Sequence, residues 1–326
     1  VTRILNDSFQ CDDVRQIMED KRAGFVGLGH MGNLMASNAI AGGWQVSGWN
    51  RSPEALTRLQ DLGGCAVERV VEMRNLPAIV FMLPDLPHIE ETAHDLLESW
   101  KQNPPAPNTV LLVMSSVSPT GVQEFGRRVR EFSSGNARVV DAPVSGGTKG
   151  AADGTLAIMA GADDEQSFRR VEPLLRTMGT TVRHLGPLGA GSLAKACNQL
   201  VVGTTTAALA EAAELAERSG LDPAALFEVL SGGLAASRVL EIVGPRLVSK
   251  DYTPTGPAKF MHKDLGFVLD AAEAAGVATP MAAAGIELYA ELRRQGHGDQ
   301  DLAVVRQVVS NLSQGAAGAA EGTVAP

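Results

Sequence analysis

The chain has 326 residues, room for about two domains with a core each, and at that length a small disulfide-held scaffold is excluded. With 28 Lys+Arg against 37 Asp+Glu the formal net charge is −9, which provides no basic footprint for nucleic acid or for an anionic membrane surface. Cys11, Cys65 and Cys197 lie far apart, with neither a C-x-x-C pair nor a Cys/His ligand spacing, so neither a disulfide framework nor a metal site is expected and a reducing cytoplasm fits.

Residues 1–22 include Asp7, Asp12, Asp13, Glu19 and Asp20 and hold no apolar core, which reads as an N-terminal extension and not as a targeting peptide. No run approaches the roughly 18 apolar residues of a membrane span. From Gly24 to about Gly186, short β-branched runs such as "AGFVGLG", "AIVFMLPD" and "TVLLVMSS" alternate with helical stretches. That alternation predicts an α/β domain over 23–187 with a doubly wound parallel sheet. "HLGPLGAG" supplies the Gly/Pro punctuation of a boundary near residue 187. Beyond it "SLAKACNQLVVGTTTAALAEAAELAERSG" predicts one long helix ended by Gly220, and helical patterning continues to about Leu312. Residues 188–313 are therefore expected to form an all-helical domain, and the small-residue tail 314–326 to be disordered.

The first strand runs into Gly27-Leu28-Gly29-His30-Met31-Gly32, a G-x-G-x-x-G that follows a strand and opens a helix. Those contexts mark a dinucleotide turn: Gly27 for the tight bend, Gly29 for backbone approach to a pyrophosphate, Gly32 for close helix packing. About 20 residues on, where an NAD-binding domain places an acid against the ribose hydroxyls, stand Asn50, Arg51 and Ser52. An arginine there pairs with a 2′-phosphate that a carboxylate would repel, so NADP(H) is expected over NAD(H), the alternative being a loop arginine solvated by water.

In "DAPVSGGTKGAADGTL", Ser145, Gly146 and Gly147 stand on a loop at a strand end. Backbone amides beside a hydroxyl make an anion nest suited to a substrate carboxylate, and a plain glycine-rich turn is the other reading. Lys195 lies one or two turns into the long helix, with Asn198 on the same face. Such a lysine either snorkels to water or acts as a proton donor to a carbonyl oxygen, with Asn198 orienting the substrate.

Five motifs in order, "GFVGLGHMGNLMA", "MLPD", "DAPVSGG", "GAGSLAKACNQ" and "KDLGFVLDAAEAAGV", resemble those of the β-hydroxyacid dehydrogenases, the group of 3-hydroxyisobutyrate dehydrogenase and tartronate semialdehyde reductase. The resemblance runs from about Ala23 to Leu312 and implies a Rossmann-type domain joined through a long interdomain helix to a helical substrate and oligomerisation domain. It implies Lys195 as the catalytic acid/base, and Ser145, Gly146, Gly147 and Asn198 as substrate contacts. It further implies that Leu83, Pro84 and Ser116 line the cofactor site, that Lys263 reaches the nicotinamide end, and that the protein is a homodimer or homotetramer. Asn198-Gln199 and "SGGLAASRVL" lean towards the tartronate semialdehyde reductase branch over the 3-hydroxyisobutyrate branch.

Two positions depart from the family pattern. Val113 replaces an aspartate, a change expected to affect packing, and Gly256 replaces a phenylalanine, which removes bulk from the substrate side and keeps four-carbon acids such as L-threonate open. Neither tyrosine has a lysine four residues on, which excludes short-chain dehydrogenases, and Lys195 argues against an imine reductase. A dinucleotide-binding scaffold without turnover is the non-enzymatic alternative.

Overall fold

A computed structural model describes the backbone of residues 20–321 and side chains as far as Gln314. The chain divides between Lys195 and Ala196 into two compact units. In the first, β3 (Cys65–Ala66), β2 (Gln45–Trp49), β1 (Arg22–Val26), β4 (Ala78–Phe81), β5 (Thr109–Val113) and β6 (Ala137–Asp141) lie side by side in that order and are mutually parallel. The order 3-2-1-4-5-6 reverses direction between β1 and β4, the switch point at which such sheets bind ligands beyond their carboxyl ends.

Alternate residues of β5 enter different cores. Val110 and Leu112 join Phe25, Met35 and Leu175, while Leu111 and Val113 join Phe81, Ile89, Trp100 and Phe125. A strand covered on both faces has no polar side, which is why "TVLLV" reads as a continuous apolar run. Val113 is thus a packing residue of this second core. The layers are built from α1 (Gly32–Ala41), α2 (Pro53–Asp61), α3 (Leu86–Gln102), α4 (Pro119–Phe132), α5 (Gly147–Asp153) and α6 (Glu165–Met178).

The parallel pattern stops at β6. There β8 (Leu156–Gly161) runs antiparallel to β6 and to β7 (Val144–Ser145), and parallel to β9 (Gly179–Gly186). The seven residues of α5 are too few for a right-handed crossover, so the chain turns back on itself between β7 and β8.

The long helix is continuous as α7 (Ala190–Arg218), and Gly220 follows it at φ +78°. In the second unit it is joined by α8 (Pro223–Ser231), α9 (Arg238–Ser249), α10 (Lys259–Ala275), α11 (Pro280–Arg294) and α12 (Val305–Glu321). Leu209, Ala210 and Ala213 of α7 share a core with Phe227, Leu247, Leu265 and Leu292. The fully buried Tyr289 donates from its hydroxyl to the Gly203 carbonyl at 2.9 Å.

The backbone of α12 runs on to Glu321. Residues 322–326 and most of the N-terminal extension lie outside the described residues.

Candidate functional site

The turn after β1 is built by close backbone approach. Gly27 has φ +97°, and a Cβ there would stand 2.3 Å from the Met82 carbonyl oxygen, against the loop that follows β4. A Cβ on Gly32 would stand 2.0 Å from the Gly27 carbonyl oxygen, so α1 packs on the turn itself. Gly29 is different: nothing lies within 4 Å of its Cβ position. Met31 precedes α1 without a side-chain cap, and the first turn holds no acid. By contrast Asp85, Ser118 and Asp164 cap α3, α4 and α6 with their side chains. An uncapped helix start beside an open glycine is suited to a phosphate, since the first amides of α1 point out of the helix with the positive end of its dipole.

Two side chains hold the surrounding loops. Asn50 accepts from the Leu28 amide at 2.9 Å and donates to the Ser52 carbonyl at 3.2 Å, so its amide ties the glycine turn to the end of β2. Arg51 and Ser52 are exposed, and Ser52 starts α2 without capping it. Buried Ser115 accepts from the Leu83 amide at 2.9 Å and fixes the turn after β4. Neighbouring Ser116, which the resemblance places at the cofactor site, is half-buried.

Ser145 ends β7 half-buried, and Gly146 and Gly147 follow exposed, at φ +136° and +62°. Lys195 is half-buried on α7. The start of that helix is gripped by Asp141, whose two carboxylate oxygens accept from the Gly189 amide at 2.8 Å and the Ser192 amide at 2.5 Å. Burial pushes the Asp141 carboxyl above the usual aspartate value, and the amides at Gly189 and Ser192 pull partly against that. In the sequence Asp141 opens the motif "DAPVSGG", whose pattern alone assigns it no role.

In the helical unit, Asn198 donates to the Gln199 side-chain oxygen at 3.0 Å, and Gln199 donates to Asp264 at 2.8 Å. Lys263 lies 3.1 Å from the other oxygen of Asp264 and 5.0 Å from the Phe267 ring centre. The structure thus links Asn198 to Lys263 through Gln199 and buried Asp264. Of these linkers, Asp264 was signalled only by its place in "KDL". Among the described residues no group of three His, Cys, Asp or Glu is placed to hold a metal ion, and no helix is long and apolar enough to cross a membrane.

Comparison with known proteins matches residues 22–186 to the NAD binding domain of 6-phosphogluconate dehydrogenase. Residues 189–309 match the model described as NAD-binding of NADP-dependent 3-hydroxyisobutyrate dehydrogenase. The NAD-dependent L-serine dehydrogenase of Pseudomonas aeruginosa is 33% identical over 296 residues, covering 88% of this chain and 97% of that protein. The 2-hydroxy-3-oxopropionate reductase of Escherichia coli is 34% identical over 293 residues, covering 90% and 98%. A crystal structure of 3-hydroxyisobutyrate dehydrogenase from Salmonella typhimurium superposes with a TM-score of 0.80 at 29% identity, covering 88% and 99%.

Proposed function

The chain belongs to the NAD(P)-dependent β-hydroxyacid dehydrogenases, and from that premise we propose an NADP(H)-dependent reductase of 2-hydroxy-3-oxopropionate, a three-carbon semialdehyde also called tartronate semialdehyde. The observation that carries this reading is that one unit holds both the open glycine turn and Lys195. A bound nicotinamide supplies the hydride for reduction and takes it back in oxidation. The Lys195 ammonium gives its proton to the carbonyl oxygen as the alcohol forms, and the neutral amine takes it from the hydroxyl in reverse.

In this reading the Ser145 hydroxyl and the amides of Gly146 and Gly147 receive the substrate carboxylate, and Asn198 orients the substrate. Residues Gly27 to Gly32, Leu83, Pro84 and Ser116 line the cofactor, with Lys263 at its nicotinamide end. Arg51 and Ser52 take the 2′-phosphate. Their exposure supports this, as does the engagement of the Asn50 amide within the protein, which leaves recognition to its two neighbours. Four-carbon sugar acids are the second reading, favoured by Gly256, where nothing lies within 4 Å of the Cβ position.

A homodimer or homotetramer belongs to the same proposal, supported by exposed Leu215, Leu221, Val229 and Leu234 in the helical unit. So does a reducing cytoplasm, supported by Cys65 and Cys197 as free thiols. Light scattering at micromolar concentration tests the assembly, and a clean monomer refutes it.

The activity is tested by a panel of 2-hydroxy-3-oxopropionate, 3-hydroxyisobutyrate, L-serine and L-threonate with both nicotinamides. We expect the semialdehyde with NADPH to give the highest kcat/KM, and Lys195→Ala to lower turnover by about 10²–10⁴ while NADPH affinity changes little. Lys195→Arg should fail nearly as badly, since a guanidinium does not give up its proton. Faster oxidation of L-serine with NAD would overturn the substrate and cofactor assignments together. Wild-type turnover in Lys195→Ala would overturn the assignment of the acid.

A further inference from the structure

The start of α7 has no capping side chain of its own, since the residue before it is Gly189. Two amides at this start are instead satisfied from the end of β6. Asp141, the last residue of β6, is fully buried and divides its carboxylate between the Gly189 amide and the Ser192 amide. One oxygen bonds the residue before the helix and the other bonds its third residue. Two bonds to two points one turn apart resist both sliding of the helix along its axis and rotation about it.

The space around this carboxylate is closed by backbone. A Cβ on Gly161, the β8 residue paired with Asp141, would stand 2.4 Å from the Asp141 Oδ1 atom. A Cβ on Gly191 would stand 2.2 Å from the Met159 carbonyl oxygen and 2.8 Å from that of Asp141. The loop entering the helix is held as well. Asp163 accepts from the Leu188 amide at 3.2 Å, and Gln123 donates to the Leu188 carbonyl at 2.9 Å. Lys195 follows Ser192 by three residues, one turn along the same face.

We propose that Asp141 is a positioning residue for Lys195, fixing the first turns of α7 against the sheet so that the lysine ammonium meets the substrate carbonyl oxygen in one place. The inference rests on reading Lys195 as the proton donor. Holding a carboxylate without exposure to water is unfavourable, as the upward displacement of its pKa shows, and an apolar residue of similar size would avoid that while leaving two helix-start amides unpartnered.

The test is a double-mutant cycle between Asp141→Asn and Lys195→Ala, with NADPH binding followed by its fluorescence. In Asp141→Asn one oxygen still accepts an amide, and the new NH2 faces the other amide donor to donor. We expect kcat to fall about 10- to 100-fold, the loss associated with displacing a reacting group by about an ångström, with KM and NADPH affinity changing less than about twofold. In the Lys195→Ala background the same substitution should cost no further turnover. A further loss there would show a general structural role and overturn the proposal, as would wild-type kcat in Asp141→Asn alone. Loss of turnover in Lys195→Ala with none in Asp141→Asn sinks this inference and leaves Lys195 as the acid. Full turnover in Lys195→Ala sinks both. If Asp141→Asn does not fold, Asp141→Ser keeps one acceptor in a smaller volume and is read by the same criteria.

Discussion

At the ends of β1, β4 and β6 the first unit arranges backbone amides, and single side chains hold them: Asn50 takes Leu28, Ser115 takes Leu83, and Asp141 takes Gly189 and Ser192. The helical unit works differently. Inside helices the backbone groups are already paired, so its polar features are side-chain networks. One joins Asn198, Gln199, Asp264 and Lys263; another gathers Glu214, Glu217, Arg218, Lys250 and Arg306. Where recognition uses backbone, added bulk is the disruptive change. Where networks of side chains hold the structure, removal of one member is disruptive and acid weakens the whole.

The largest effect expected from this contrast is in the helical unit. Arg306 is almost wholly buried, lies 3.7 Å from Glu214, reaches Glu217, and donates to the Leu247 carbonyl at 2.6 Å. Arg306→Ala leaves a buried carbonyl unpartnered and deprives two glutamates of a shared cation, a loss of about 3 kcal/mol. Thermal unfolding measures it, and NADPH affinity of the folded protein should stay within about twofold. A matching loss of NADPH affinity would break the comparison, because the first unit would then depend on the network of the second.

Next comes the glycine turn. Gly32→Ala forces a methyl to within 2.0 Å of a backbone oxygen and should destabilise the fold by about 2–3 kcal/mol. Gly29→Ala meets no neighbour, so stability should hold within about 0.5 kcal/mol while affinity for either nicotinamide falls. Melting curves with and without cofactor separate the two. Unchanged cofactor affinity in Gly29→Ala would mean that no ligand approaches that backbone.

Gly27 and Gly32 were legible in the sequence because few residues tolerate a positive φ or backbone at 2–3 Å, so their spacing carries physical content. Helix α7 was legible for its length and its alanines. The antiparallel β7–β8 extension was not, since a short strand after a short helix has the same pattern whichever way it runs, and only α5's length hints at the reversal. Asp141 stood in a quoted motif, yet its partners lie 48 and 51 residues downstream, beyond the reach of any periodicity. Ser115 and Ser116 are adjacent, and only the fold shows which of them holds Leu83.

A smaller effect is expected at Arg51. A charge-assisted pair with a 2′-phosphate is worth roughly 1.5–3 kcal/mol, about ten- to a hundredfold in affinity. Arg51→Ala should weaken NADPH by that factor and leave NADH nearly unchanged, as fluorescence titration of both would show. Equal losses would make Arg51 a packing residue and remove the NADP(H) assignment. This result sharpens the comparison, since Arg51 is a side chain acting in a unit otherwise organised by backbone.

The smallest effect is the response of the helical network to acid. Glu217 is held below the usual glutamate value of 4.5, chiefly by its hydrogen bond from Lys250 and further by the Arg306 charge. For Glu214, burial is the largest single influence and pushes upward, but hydrogen bonds from Arg218 and Ser310 with the charges of Arg218 and Arg306 outweigh it, and the net displacement is again downward. With folded values below unfolded ones, the unfolded chain binds more protons between them, so stability rises with pH through that window. The contribution is complete above about pH 4.5 and is lost as pH falls through the folded values. Glu217 is about half exposed, so water screens its share. Glu217→Gln should therefore lower the melting temperature at pH 7 by only about 1–2 °C and flatten its decline below pH 4.5. Lys195 and the glycine turn play no part in this titration, so NADPH affinity at pH 7 should not respond to the substitution. An acid limb as steep as the wild type's would show that Glu217 does not contribute to it and that the acid response originates elsewhere in the chain.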